Sequence, residues 1–448
     1  MKGIDCHCHI FNIVSVGLRA ILQQIQDTSG MIVEEKAELP GRMLKATLAG
    51  SILNKLKKLA ELIKLFSGNN EKILGMLDRH YKGDYVLFPL MFDGDFLLDT
   101  ATDEEIGELK NTVDRVRRHL EDQKPQVKMQ KGMAFTDPGS LSSNDVTRIS
   151  GLLDQVDLQL GSAGETGKLM LKAGKQRDGF TIQYESMVGI RNNPEYREKV
   201  FPFLGVDPRR KNIRDYMTEV GKGKTFAGIK VYPPNGFSPA DPILIAGEDS
   251  VFGYCRKNRI PVIAHNSYGG FATPSMRVDI NGMILLPGDT RPVPHSGSYT
   301  FTKKLTDGYT EMVRERARLL NHPVIWQEVL EQQKGLILVL AHFGESSDPD
   351  LPDEWRDEIL MMMHKYPTLY TDISCISNET NLKKIKKIFD ENPFISNRIL
   401  YGSDYFLDMF FNDSFTQYYN RITGIFGEAA FHQISVINPQ NFMESWYI

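Results

Sequence analysis

The sequence predicts an α/β fold, a (β/α)8 barrel with a helical insertion after the first strand and long loop insertions. Two observations predict it. First, short apolar runs recur along the 448 residues, each ending in a polar or titratable residue. Runs such as Leu336-Ile337-Leu338-Val339-Leu340 have the near-continuous apolar character of parallel strands buried on both faces. Second, helical stretches lie between several of these runs, and strand–helix alternation is the mark of a parallel sheet.

Eight strands are expected, at Lys2–Ile10, Tyr85–Phe92, Val200–Val206, Phe226–Tyr232, Ile260–Ala264, Gly335–Ala341, Thr368–Ile373 and Arg398–Tyr401. Eight favours a closed barrel over an open doubly wound sheet, and no Gly-rich phosphate loop follows any of them. Helices are expected at Asn212–Val220, Val251–Lys257, Val324–Gln333, Glu354–His364 and Asn381–Asp390. The length suits a single domain, 1–448, carrying insertions.

Three regions depart from the alternation. The first, 12–83, reads as largely helical: Ile52, Leu56, Leu59, Ile63 and Phe66 recur at helical spacing with Lys55, Lys58, Glu61 and Lys64 between them. A helix packed on the core or pairing two copies in a homodimer is the expectation there, ahead of one lying on a membrane surface. The second, 93–180, combines a charged helix at Asp103–Glu121 with loop-like stretches such as Thr136–Ser143. The third, 267–310, is rich in Gly, Ser and Pro and follows a strand end, where a lid or specificity loop would sit.

Apolar residues make up 41% of the chain and charged residues 25%, and the net charge is −4. No global field favours nucleic acid or anionic lipid, and no motif argues for either. The first residues, Met1-Lys2-Gly3-Ile4-Asp5-Cys6-His7, form no signal-peptide core, and no apolar run is long enough to span a membrane. Four cysteines without a disulfide framework suit a reducing cytoplasm. A cytoplasmic globular protein is therefore expected, with neither nucleic-acid nor membrane partners.

The chemistry begins at Asp5-Cys6-His7-Cys8-His9. On a strand, side chains two apart share a face about 7 Å apart, so His7 and His9 could chelate one ion. Cys6 and Cys8 should face the other way as packed thiols. With ten His in the chain the motif is weak alone. It gains weight from the other strand ends: His265 after Pro261–Ala264, His342 after Leu338–Ala341, Asp404 after Ile399–Ser403, and Lys230 within Gly228–Tyr232. In a parallel barrel all these ends meet at one rim. No close-spaced Cys and His set argues for a structural zinc protein.

The series Asp5-x-His7-x-His9, Lys230, His265, His342 and Asp404 resembles the amidohydrolase superfamily. Phe203–Arg209, Gly228–Pro233, Leu340–Gly344 and Ile399–Asp404 are similar to its "amidohydrolase 2" branch, which includes relatives of aminocarboxymuconate semialdehyde decarboxylase. The resemblance spans residues 3 to about 404 and skips the insertions. It implies one divalent metal, Zn²⁺ foremost, held by His7, His9, His265 and Asp404, which would lower the pKa of a water to roughly 7. Asp404 would accept that water's proton, and His342 would serve as acid/base. In a binuclear site His342 and a carboxylated Lys230 would be ligands too. As an ordinary ammonium, Lys230 would hold a substrate carboxylate or pair with Asp5.

The resemblance implies a metal-dependent hydrolase acting on a small carboxylated, ester, lactone or amide substrate. The alternative within the branch is non-oxidative decarboxylation of an unsaturated or aromatic acid. For that, Arg277, Arg291 and His295 in the third insertion are substrate-binding candidates, and Glu345 has similar standing. A non-catalytic scaffold with a vestigial site is the alternative of another class. It sits poorly with a full set of polar strand ends.

Overall fold

A computed structural model describes residues 3–11, 69–96, 103–122, 128–130, 133–135, 144–151, 153–154, 179–304, 307–345, 354–405, 407 and 414–446. The expected helix around Ile52–Phe66 and the stretch Thr136–Ser143 lie outside them. All eight expected strands form, each shorter than its apolar run: β1 (Gly3–Cys8), β2 (Tyr85–Pro89), β5 (Phe203–Val206), β6 (Gly228–Val231), β7 (Val262–Ala264), β10 (Leu338–Leu340), β11 (Leu369–Asp372) and β12 (Ile399–Leu400). Two antiparallel pairs lie outside this series, β3 (Lys128–Gln130) with β4 (Met133–Phe135), and β8 (Arg277–Ile284) with β9 (Val293–Thr300).

Six of the parallel strands make one sheet, in the order β12-β11-β10-β7-β6-β5, and β1 and β2 make a parallel pair. Among the described residues the ladders do not join into one closed sheet, as a complete barrel would require. The physical reason is strand length, since two to six residues leave few ladder rungs at the seams. What crosses the seams is sparser. Leu87 bridges Val200 and Leu90 bridges Phe203, both in parallel sense. On the other side the Cys6 amide donates to the Tyr401 carbonyl at 3.0 Å, and the Asp404 amide to the His7 carbonyl at 2.7 Å.

The parallel register sets the layers. Gly205, Lys230, Ile263, Val339 and Tyr370 are successive register partners across the sheet. Ile263 and Val339 belong to an apolar cluster with Ile4, Cys6, Phe88, Leu90, Phe203 and Leu400, and Phe442 of the C-terminal helix Asn438–Trp446 packs into it. This cluster is the apolar floor beneath the polar strand ends. The opposite face of the strands packs with the helices in the main core, through Leu204, Ile229, Val262, Leu338 and Leu369. Cys8 joins that main core as the alternation predicts, but Cys6 sits in the floor cluster instead. The register of β1 against β2 shifts between Asp5 and Cys8, and such an irregularity re-aims side chains that strict alternation would send elsewhere.

The helices start where the sequence offers caps. Ser250, Asn378 and Ser414 each accept a backbone N–H of the first turn, opening Val251–Lys257, Glu379–Glu391 and Phe415–His432. The charged helix is present at Asp103–Asp122, and Glu354–Lys365 and Pro323–Gln332 match their expected positions. The expected helix at Asn212–Val220 breaks into Ile213–Tyr216 and a 3₁₀ turn, Met217–Glu219. The Gly/Ser/Pro-rich insertion carries the eight-rung hairpin β8–β9. Its Val278, Ile280 and Ile284 pack with Leu319 and Leu320 of the helix Tyr309–Asn321. No helix among the described residues is long and apolar enough to cross a membrane.

Asp5 stitches the first strand to the last. Its buried carboxylate accepts from the Ser403 amide at 2.9 Å, the Ser403 hydroxyl at 2.6 Å, the Tyr81 hydroxyl at 2.9 Å and the His7 amide at 3.2 Å. That replaces the expected pairing with Lys230, because four donors already converge on it. Burial still pushes its pKa up to about 6 against those hydrogen bonds. Asp5→Ala would strand these donors, and a loss of about 3 kcal/mol in urea unfolding is expected. In Gly228→Ala the new Cβ would collide with the Phe203 ring and lie 2.7 Å from the Pro261 carbonyl oxygen. A loss of about 1–3 kcal/mol from overpacking is expected by the same measurement.

Candidate metal centre

His7 and His9 leave β1 side by side, their rings edge-to-face with centroids 5.3 Å apart. The partner of each Nδ1 indicates which ring nitrogen carries the proton. His7 Nδ1 lies 2.9 Å from Oδ2 of Asp372, and His9 Nδ1 lies 2.9 Å from the Leu90 carbonyl oxygen. Both partners are acceptors, so each Nδ1 donates and each Nε2 keeps its lone pair. Both Nε2 atoms then face Oδ1 of Asp404, at 3.4 Å from His7 and 3.1 Å from His9. All three residues are buried, and Oδ1 of Asp404 has no hydrogen-bond partner. A buried carboxylate oxygen between two bare imidazole nitrogens is costly unless a cation completes the set. These three residues, with ligand atoms within 4.8 Å of one another, could hold a metal ion.

The neighbouring charges agree with this. Burial first, then Lys230, pushes the His7 pKa down to about 3, so the ring is neutral and ligand-competent. The Lys230 amine lies 3.3 Å from His7 Nε2, and burial lowers its pKa to about 8 against the pull of Asp372 and Asp404.

His265 and His342 adjoin this cluster and meet each other. Nδ1 of His265 lies 3.0 Å from Nε2 of His342, while Nε2 of His265 faces the Gly269 carbonyl oxygen at 2.9 Å. Tyr232 stacks on His265 with ring centroids 4.3 Å apart, and its hydroxyl accepts from the Phe271 amide. Gly270 is in the left-handed region, and a Cβ there would meet His265 Nε2 at 2.8 Å. The loop therefore packs directly on His265, whose ring nitrogens turn to His342 and Gly269. His265 is not among the residues grouped around His7, His9 and Asp404.

A second group that could hold an ion is His7, His342 and Asp372. Asp372 and Ser374, at the end of β11, were not among the sequence candidates. Asp372 is the last residue of β11, inside the expected strand Thr368–Ile373 and not after its end, so the strand-end position that marked Asp404 did not mark it. His342, Phe343 and Asp404 all have positive φ, at 65°, 49° and 54°. Non-glycine residues are held there at a cost, often at functional sites.

The remaining candidates lie on the third insertion or pair elsewhere. Arg277 is exposed and donates to the Ser298 hydroxyl, Arg291 is exposed beside β9, and His295 Nε2 faces the Gly297 carbonyl oxygen at 3.2 Å. Glu345 is buried and paired with Arg356.

A comparison with curated proteins found no match. Among solved structures, a proposed 2-pyrone-4,6-dicarboxylic acid hydrolase from Pseudomonas putida aligns at 11% identity and a TM-score of 0.36, covering 59% of this chain and 77% of that one. The apo structure of an Agrobacterium tumefaciens protein aligns at 12% identity and a TM-score of 0.32, covering 57% of this chain and 73% of that one. A profile of the Amidohydrolase family matches residues 193–441, a span that includes Lys230, His265, His342, Asp372 and Asp404. That is more than half of the chain, and the chain belongs to the Amidohydrolase family.

Proposed function

We propose that this protein is a metal-dependent hydrolase acting on a small carboxylated, ester, lactone or amide substrate. The observation that carries the reading is the convergence of His7 Nε2, His9 Nε2 and the partnerless Asp404 Oδ1 on one buried point. Two imidazoles and a carboxylate suit Zn²⁺ and leave room for a further ligand. A divalent ion there would supply Lewis-acid chemistry, activating water and polarising a substrate oxygen.

The chain's own residues would do the rest. Asp372 and the Leu90 carbonyl keep the His7 and His9 lone pairs aimed inward. Asp404 would take the proton of the attacking water. His342, beside His7 with ring centroids 5.0 Å apart, would exchange a proton with the substrate through Nε2. Lys230 would hold a substrate carboxylate as an ammonium. One ion per chain is favoured, because His265 and His342 meet each other rather than the His7, His9 and Asp404 cluster. His265 would complete the set only by turning from Gly269.

The same reading closes the eight parallel strands into a (β/α)8 barrel, supported by the bridges at Leu87 and Leu90 and the hydrogen bonds at Cys6 and Asp404. The segments 12–83, 93–180 and 267–310 are then insertions in one domain, with Arg277, Arg291 and His295 over the site. A cytoplasmic homodimer is the proposed setting.

Metal counting on protein grown with excess zinc and bicarbonate should return one tightly bound zinc per chain; two would overturn the mononuclear reading. Asp404→Asn should retain the fold by circular dichroism and lose that zinc. In a screen of esters, lactones, amides and carboxylates, hydrolysis by the wild type and its loss in Asp404→Asn are expected. Release of CO2 from an unsaturated acid, without hydrolysis of any member, would replace the hydrolase reading with the decarboxylase one.

A further inference from the structure

We propose that Asp372 and Ser374 act as one positioning unit that holds the proton on Nδ1 of both His7 and His342. Both residues are fully buried. The Ser374 hydroxyl has a single proton, and its shortest contact, 2.5 Å to Oδ1 of Asp372, takes it. The hydroxyl oxygen is then an acceptor, with His342 Nδ1 at 2.9 Å and His7 Nδ1 at 3.1 Å. His342 Nδ1 also lies 3.0 Å from the Ser374 carbonyl oxygen, and His7 Nδ1 lies 2.9 Å from Oδ2 of Asp372. Each of these partners is an acceptor, so each Nδ1 carries a proton. The Nε2 atoms are left to work, His7 toward Asp404 and Lys230, His342 toward His265.

The same carboxylate sets the backbone. Oδ1 of Asp372 accepts from the amides of His342 and Ser374, both at 3.0 Å. His342 has φ of 65°, so the hydrogen bond from its amide braces a turn that an L-residue rarely adopts. Asp372 thus holds His342 by its backbone and, through Ser374, by its ring, while holding the ring of His7 directly. One buried carboxylate links an imidazole of the candidate metal cluster to the candidate acid/base.

This inference rests on His7 and His342 being the working imidazoles of the proposed function, but its deciding readout, the tautomer of each ring, needs neither zinc nor substrate. Two-bond ¹H–¹⁵N correlation spectra of metal-free protein labelled with ¹⁵N-histidine report which ring nitrogen is protonated. His7→Gln and His342→Gln assign the signals. Both rings should carry hydrogen on Nδ1 in the wild type. Asp372→Asn should give His7 a mixed or Nε2-protonated ring and weaken Zn²⁺ binding, measured by titration calorimetry, about 10–100-fold. Ser374→Ala leaves His342 Nδ1 only the backbone carbonyl of residue 374 and should raise the Nε2-protonated fraction of His342 while leaving His7 unchanged, and Ser374→Thr should restore the wild-type form. Hydrogen on Nε2 and not Nδ1 at either ring of the wild type would overturn the proposal. So would an unchanged His7 in Asp372→Asn, or an unchanged His342 in Ser374→Ala. If Asp372→Asn fails to fold, the wild-type and Ser374 spectra decide. Fixed Nδ1 protons in a protein that binds no zinc would support the positioning unit while removing the proposed function.

Discussion

Asp404 reaches His7 and His9 because the chain leaving β12 lies against β1. The Asp404 amide donates to the His7 carbonyl, the His9 amide donates to the Tyr405 carbonyl, and Asp5 takes both donors of Ser403. These contacts join residues nearly four hundred positions apart. Everything else about the centre depends on that seam, since two of its atoms come from the first strand and the residue just past it, and one from the segment after the last strand. The loop-closure entropy of such a contact is paid by the packing of the whole sheet between the two ends.

Once the seam is made, burial governs the chemistry. With water excluded, His7 is held neutral and Lys230 loses much of its preference for the charged form. Buried carboxylates survive only where donors or cations meet them. Asp5 and Asp372 are met by hydroxyl, amide and imidazole donors, whereas Oδ1 of Asp404 is met by two lone pairs. That contrast between neighbouring carboxylates marks one of them for a ligand. Beneath them the apolar floor of Ile4, Phe88, Ile263 and Val339 gives the polar rim nowhere to relax to.

The strands were legible because parallel strands buried on both faces must be apolar on both, and such runs stand out from amphipathic helices. Polar residues placed just past them were legible for the same reason. The hairpin β8–β9 was not, since its alternation of exposed Arg277 and Asp279 with buried Val278 and Ile280 lies within a stretch dominated by turn-forming residues. Asp372 was hidden because Asp-Ile-Ser at the close of a strand has no spacing that separates it from ordinary surface sequence.

The sequence by itself determined the eight strands and the short set of imidazoles, lysine and carboxylate at their ends, because burial periodicity is a local property of the chain. Only the tertiary structure decided the partners. The shift in β1 parted Cys8, in the main core, from Cys6, in the floor with Ile4, while Asp5 turned to Ser403 rather than Lys230, and His265 faced His342 and Gly269. Asp372 emerged as the carboxylate behind His7. A hydrogen bond is satisfied by whichever donor or acceptor the fold brings within about 3 Å, and composition and spacing do not record that distance.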